Sequence, residues 1–233
     1  MITETAKPNN RLLSALSTKA YRQLLPKTER IALEFAGTIY NSGDVIHHLY
    51  FPDSGIISLL SAVEANSTIE VGIVGNEGIV GLPVFLGVKT SINRAVVQGV
   101  GFALKISSED FLDECKNGEL PKILQRFTHS LMTQISQSAA CNRFHEIEPR
   151  LARWLLMTAD RMQSDEFQIT QEFLSNMLGV RREAVNKAAT NFQQKQLISY
   201  SRGNISILDH QGLKESACSC YQIIKRDYDN FLN

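Results

Sequence analysis

Residues 169–198 read ITQEFLSNMLGVRREAVNKAATNFQQKQLI, and the rest of the chain is best read outward from them. Thr170 stands as an N-cap, with Glu172 in the first turn, where a carboxylate meets the positive end of the helix dipole. Phe173, Leu174, Met177 and Leu178 recur at helical spacing and make one apolar stripe. Gly179 falls where a helix end takes the left-handed conformation, and Val180 plugs the corner. A second helix follows. Val185, Ala188, Ala189 and Phe192 form its buried side, and Arg181, Arg182, Glu183, Asn186, Lys187 and Asn191 lie on the other.

Two amphipathic helices around a tight corner are the sequence form of a helix-turn-helix, whose second helix enters the DNA major groove. Arg and Lys reach guanine edges or phosphates, Glu accepts from cytosine, and Asn reads adenine. A helical hairpin with a solvated charged face would show the same stripes. The next residues weigh against it. Residues 197–200, 201–204 and 205–208 read as strand, turn and strand. A hairpin placed there is a wing, with Arg202 at its tip. The candidate DNA contacts are therefore Gln171, Arg181, Arg182, Glu183, Asn186, Lys187 and Arg202. Arg182, Glu183 and Lys187 are expected to read bases, and Gln171, Arg181 and Arg202 to hold phosphates.

The formal net charge of the 233 residues is zero, so no global charge points to nucleic acid. Locally the balance differs. Residues 180–202 carry five basic side chains against Glu183 alone, a charge of +4, and a phosphate field is felt locally. A length of 233 residues allows more than one core. The chain shows no signal-peptide pattern and no long apolar run, so a cytoplasmic protein without a membrane segment is expected.

Ahead of this segment, residues 10–25 read as one or two short helices built on Leu12, Leu13, Leu16, Tyr21 and Leu24, broken by Pro26. Residues 1–10 read as a frayed end. Residues 31–106 change character. Short apolar runs at 31–35, 38–40, 47–51, 55–63, 68–74, 94–99 and 101–106 are separated by turn signals at 41–44, 52–55, 64–67 and 75–78. That spacing predicts a β jelly roll, a double-stranded β-helix. His47 and His48 are adjacent and would point to opposite faces of a strand, which argues against a shared metal. The chain has no nucleophile elbow, P-loop or HExxH, so no enzyme is expected.

A short helix opens at residue 107 and ends at Asn117-Gly118. Residues 120–144 then form a long helix. Leu120, Leu124, Phe127, Leu131, Ile135 and Ser138 recur at alternating spacings of four and three, a coiled-coil seam. Because a helix-turn-helix reads two half-sites with two copies, Leu124, Phe127, Leu131 and Ile135 are expected to dimerise the chain. Pro149 marks a hinge before a helix over 150–162, and a last helix is expected over 212–231. Four cysteines, Cys115, Cys141, Cys218 and Cys220, come late. Cys218-x-Cys220 lacks a second pair at zinc spacing, and two residues two apart on a helix face different ways, which favours structural thiols over a metal.

A β-roll, a long dimer helix and a winged helix holding ITQEFLSNMLGVRREAV together resemble the Crp/Fnr family of bacterial transcription regulators. The likeness covers nearly the whole chain. It is most specific at Gly179, Val180, Arg182, Glu183, Val185 and Leu197-Ile198, and Arg181 stands where a capping Ser or Thr is usual. Members of the family that bind cyclic nucleotides carry a Gly-Glu-Leu-Ala-like turn, then an Arg-Ser or Arg-Ala pair. The matching effector pocket here would be Gly78, Ile79, Gly81, Arg94 and Ala95. Ile79 replaces the Glu that holds the ribose, which argues against a cyclic nucleotide. The N-terminal cysteine cluster of iron–sulfur oxygen sensors is missing. The cofactor therefore stays unknown, and a sensor core filled by its own side chains such as Phe85 and Leu86 would need none.

The expected architecture is α+β. It has a β-roll sensor over 1–117, a dimerisation helix and hinge over 118–148, and a winged helix-turn-helix with a C-terminal helix over 149–233. The expected function is an allosterically controlled, homodimeric, double-stranded-DNA-binding transcription regulator, for which activation would add RNA polymerase as a partner. The alternative is a small-molecule-binding β-roll whose winged helix contacts proteins instead.

Overall fold

A computed structural model describes residues 8–64, 67–116 and 118–232. The chain packs as two compact units, the first comprising residues up to Ile57, Val74–His129 and Leu232, the second Ser58–Ile73 and Ser130–Phe231.

In the first unit, α1 (Arg11–Ser14) and α2 (Thr18–Leu24) each begin on a side-chain cap. Asn10 accepts from the Leu13 amide and Ser17 from the Ala20 amide. Asn10 is buried and also donates to the carbonyls of Pro52 and Gly78. Asn9 and Asn10 are thus held by hydrogen bonds rather than frayed; of the end read as frayed, residues 1–7 lie outside the described residues. Pro26 stops α2 in a short 3-10 turn, as expected from its missing N–H.

Five strands follow: β1 (Thr28–Leu33), β2 (Thr38–Tyr40), β3 (His48–Glu64), β4 (Ser67–Val74) and β5 (Arg94–Ser107). They form one sheet in the order β1-β5-β3-β4, with β2 also on β5. β5 is long enough to serve two partners in turn, pairing antiparallel with β2 through Ala95 and Val96 and with β1 from Gly101 to Ile106.

The expected runs 47–51 and 55–63 are one strand, as are 94–99 and 101–106. Pro52-Asp53-Ser54-Gly55 is therefore no turn. Gly55 takes φ +83°, and a Cβ there would stand 2.6 Å from the Gly99 carbonyl oxygen. A Cβ on Gly101 would meet Ser54 at 2.4 Å. Glycine here marks a close approach of two backbones within a sheet, which sequence alone does not distinguish from a turn. The turn expected at 64–67 falls in part on Ala65 and Asn66, outside the described residues, as does Asn117. The core of this unit gathers Leu12, Leu24, Leu49, Phe51, Ile56, Ala95, Phe111, Leu124 and Phe127. α3 (Ser108–Glu114) caps on Ser107, whose hydroxyl accepts from the Asp110 amide at 3.0 Å.

The second unit is built on α5 (Ile147–Met162), buried from Arg150 to Ala159. Around it stand β6 (Glu166–Gln168), α6 (Gln171–Leu178), α7 (Arg182–Gln194), β7 (Ile198–Ser201), β8 (Asn204–Ile207), α8 (His210–Ser216) and α9 (Cys220–Asn230). The small sheet runs β6-β8-β7. Leu151, Trp154, Leu155, Leu174, Leu178, Val185, Phe192, Ile198 and Leu213 make its core. The outer parts of β3 and β4 belong to this unit, as does the C-terminal part of α4 (Leu120–Phe144).

The seam of α4 faces its own chain. Leu124, Phe127, Leu131 and Ser138 are buried within one protomer, and Ile135 is partly so. A Cβ on Gly72 would lie 3.3 Å from Leu131, and Gln134 exchanges hydrogen bonds with the Ile73 backbone at 2.6 and 3.1 Å. The expectation that Leu124, Phe127, Leu131 and Ile135 dimerise the chain gives way on this point. An apolar stripe says that something covers it, not whether the cover is the same chain. Among the described residues, no helix is long and apolar enough to cross a membrane.

Candidate nucleic-acid interface

α6 and α7 are set by local chemistry at three corners. Thr170 Oγ1 accepts from the Phe173 amide at 3.1 Å, capping α6. Gly179 closes α6 at φ 61°, while the amide of Val180 bonds back to the Ser175 carbonyl. The buried guanidinium of Arg150 on α5 donates to the Leu178 carbonyl, one of the acceptors that a helix end leaves without a partner. Gly179 has a second reason to be glycine. A Cβ there would stand 2.8 Å from Ile69 Cδ1 on β4.

α7 presents the expected face. Arg181, Arg182, Glu183, Asn186 and Lys187 are exposed, while Val185, Ala188, Ala189 and Phe192 are buried. Gln171 ties this face together: its Nε2 donates to Asn186 Oδ1 at 3.0 Å, and its Oε1 accepts from Arg182 Nε at 3.3 Å. The side chain expected to hold a phosphate therefore also orients two other candidate DNA contacts, Arg182 and Asn186. Arg181 takes the N-cap position of α7 without a side-chain cap; its carbonyl accepts from the Ala184 amide at 3.0 Å.

The wing is a two-residue hairpin. Ser201 pairs with Asn204, and Arg202 and Gly203 take φ 50° and 81° between them. Both central residues of such a turn are left-handed, the twist that matches the strands. Gly203 suits this, whereas Arg202 adopts it against its own preference. The Ile169 amide donates to the Gly203 carbonyl at 2.7 Å and Tyr200 Oη to the Ile169 carbonyl at 2.9 Å, fastening the wing tip to the entry of α6.

The expected effector residues divide between core and surface. Ile79 and Ala95 are buried in the core. A Cβ on Gly78 would stand 2.4 Å from the Phe127 ring, and one on Gly81 would stand 2.8 Å from Leu49. Gly81 takes φ 103° and its backbone meets the Tyr40 hydroxyl, whose pKa burial pushes up to about 12. Arg94 is exposed, and its Nη2 donates to Thr38 Oγ1 at 2.8 Å. Glu77 is buried and accepts from the Gly75 amide at 3.0 Å. Leu86 is 57% exposed; Leu82 and Val84 fill the interior instead. An open cleft of this unit lies at other residues. It measures about 440 Å³ and is lined by residues including Tyr40, Asp44, His47, His48 and Tyr50.

The last helix is two. α8 ends at Ser216, Ala217 is extended, and α9 starts at Cys220. The Cys218 amide turns to the Pro149 carbonyl instead of continuing the helix, and Ser216, Cys218 and Ser219 are weaker helix formers than Ala217.

Comparison with known proteins places this geometry. Residues 149–216 match the family model of the Crp-like helix-turn-helix domain. The c-di-GMP-responsive global regulator CLP of Xanthomonas campestris superposes with TM-score 0.67 at 14% identity, over 83% of this chain and 100% of that one. A CRP-family transcriptional regulator of Thermus thermophilus gives 0.68 at 19% identity, over 81% and 96%. FixK2 of Bradyrhizobium japonicum gives 0.68 at 10% identity, over 82% and 98%. Among curated proteins, no sequence relative matches the chain. The fold is that of the Crp/Fnr transcription regulators: an N-terminal β-roll, a long helix and a C-terminal helix-turn-helix. Within it, residues 149–216 correspond to the Crp-like helix-turn-helix domain.

Proposed function

We propose that the chain is a homodimeric, sequence-specific DNA-binding transcription regulator of the cytoplasm, governed through its N-terminal roll. The observation that carries this reading is the exposed face of α7, where Gln171 holds Arg182 and Asn186 beside Glu183 and Lys187 in a Crp-like helix-turn-helix domain. Arg182, Glu183, Asn186 and Lys187 read base edges; Gln171, Arg181 and Arg202 hold phosphates.

A second copy packs on the outward face of α4. Gln125, His129, Met132, Ser136, Ala139 and Arg143 are exposed and repeat at alternating spacings of four and three, one seam round the helix from the buried stripe. Met132 is 63% exposed. The dimer places two recognition helices against half-sites about one DNA turn, ~34 Å, apart. An effector acts by favouring one of two spacings, through its different affinity for each. The buried, apolar Ile79 offers no hydrogen bond to a ribose, which weighs against a cyclic nucleotide as that effector.

Selection of duplexes from a random pool by the full-length protein, followed by titration of the selected site across a range of salt, tests the reading. A single enriched palindrome with affinity falling steeply in salt is expected. Failure to enrich any sequence would favour the reading in which the winged helix contacts proteins.

A further inference from the structure

Three of the four cysteines and one histidine meet at one place in the second unit. Cys141 lies in the last turn of α4 and His145 one turn further on. Cys218 stands in the break between α8 and α9, and Cys220 opens α9. Their ligating atoms all lie within 4.8 Å of one another. The three cysteines are buried. We propose that Cys141, His145, Cys218 and Cys220 form a closed tetrahedral binding site for zinc(II).

The distances fit a single ion. With zinc–sulfur bonds of about 2.3 Å and zinc–nitrogen bonds of about 2.0–2.1 Å, tetrahedral ligands stand roughly 3.8 Å (S to S) and 3.6 Å (S to N) apart. Cys141 Sγ and Cys218 Sγ are 3.4 Å apart, and Cys220 Sγ is 3.5 Å from His145 Nδ1. A disulfide needs about 2.05 Å and would use two of the four groups. A four-iron cluster holds its thiolates outward from the iron corners of its cube, farther apart than 4.8 Å permits.

The surroundings suit three thiolates. Zinc(II) with three thiolates and a neutral imidazole carries one negative charge. Arg150 and Arg153 are buried beside it, each with an Nε that has no hydrogen-bond partner, and Arg153 interacts electrostatically with Cys141 and Cys218. Gln137 Nε2 donates to Cys220 Sγ at 3.1 Å, the outer contact a bound thiolate uses. Metal binding would release the thiol protons to solvent and tie residues 77 apart in sequence, on either side of the winged helix.

The test uses the full-length protein, reduced, stripped with a chelator and kept anaerobic, then titrated with cobalt(II) and next with zinc(II). One cobalt per chain, the intense visible bands of tetrahedral thiolate coordination, displacement by zinc and a higher melting temperature with zinc are expected. Cys141→Ser and Cys218→Ser should weaken binding by more than ~100-fold, beyond the usual outer-shell loss. Cys115→Ser should match the parent. His145→Ala, at a half-buried position past the end of α4, keeps the fold testable and should shift the cobalt bands. Pale octahedral cobalt, equal binding by the Cys141 and Cys218 variants, or native protein carrying iron with acid-labile sulfide would each overturn the site.

Discussion

Trp154 on α5 donates its indole N–H to Glu70 Oε1 on β4 at 3.0 Å, joining the outer end of the β3–β4 strands to the first helix of the winged domain. Burial pushes the pKa of the Glu70 carboxyl up to about 7; the Ser58 hydroxyl, the Trp154 indole and the charges of Arg153 and Arg161 oppose this without cancelling it. Its other oxygen, Oε2, is buried with no hydrogen-bond partner.

This carboxyl gives a pH dependence with a defined sign. The folded chain keeps the Glu70 proton to about pH 7, whereas the unfolded chain loses it near the ordinary 4.5. The stability that Glu70 contributes is therefore fully present below about 4.5 and is lost as pH rises through about 7. The loss is on the order of 3 kcal/mol. Glu70→Gln keeps the acceptor for Trp154 and cannot ionise. Denaturant unfolding from pH 5 to 8 should show the parent losing stability relative to this variant, and parallel curves would refute the assignment.

Arg182→Ala should relax sequence preference at one base position of the selected site, a loss of ~1–3 kcal/mol of discrimination. Gln171→Ala frees both Arg182 and Asn186, so its effect should reach more than one position. A quantitative binding-site selection with each variant distinguishes the two patterns.

Arg202 should separate affinity from stability. Arg202→Gly removes a phosphate contact and lowers the slope of log K against log salt by ~0.9. It also relieves a left-handed backbone, raising the free energy of unfolding by about 1 kcal/mol. Salt titration and chemical denaturation of the same preparation read both effects.

The two faces of α4 should respond differently. Phe127→Ala empties a core position against Gly78 and should destabilise the fold by ~3–5 kcal/mol. Met132→Glu adds charge to an exposed position and should leave the fold intact while dissociating the dimer, read by sedimentation. A monomer–dimer equilibrium unmoved by Met132→Glu would remove this face from the interface.

Restoring the family's ribose ligand should fail. Ile79→Glu places a carboxylate where the side chain is 1% exposed, with no room opened beside Gly78. The variant should melt below the parent, and cyclic AMP should raise the melting temperature of neither.

The winged helix was legible in the chain because its signals are local. Thr170 caps three residues away, Gly179 supplies the left-handed corner, and Arg202-Gly203 fill a two-residue turn. Each acts within a few residues, so the sequence alone determined α6, α7 and the wing, and with them which side chains of α7 face outward. The effector turn was legible in part: Ile79 announced the loss of the ribose contact, but not that the Phe127 ring packs against Gly78. Tertiary structure alone decided what lies opposite each surface. A four–three repeat on α4 is equally satisfied by a partner or by its own chain, and Gly72 and Ile73 settled it. Gly55 and Gly101 looked like turns because close backbone packing and chain reversal call for the same residue. Cys141 and Cys218 are 77 residues apart, and no spacing rule reaches that far. Only the broken end of α8 brings the second pair of ligands round to the first.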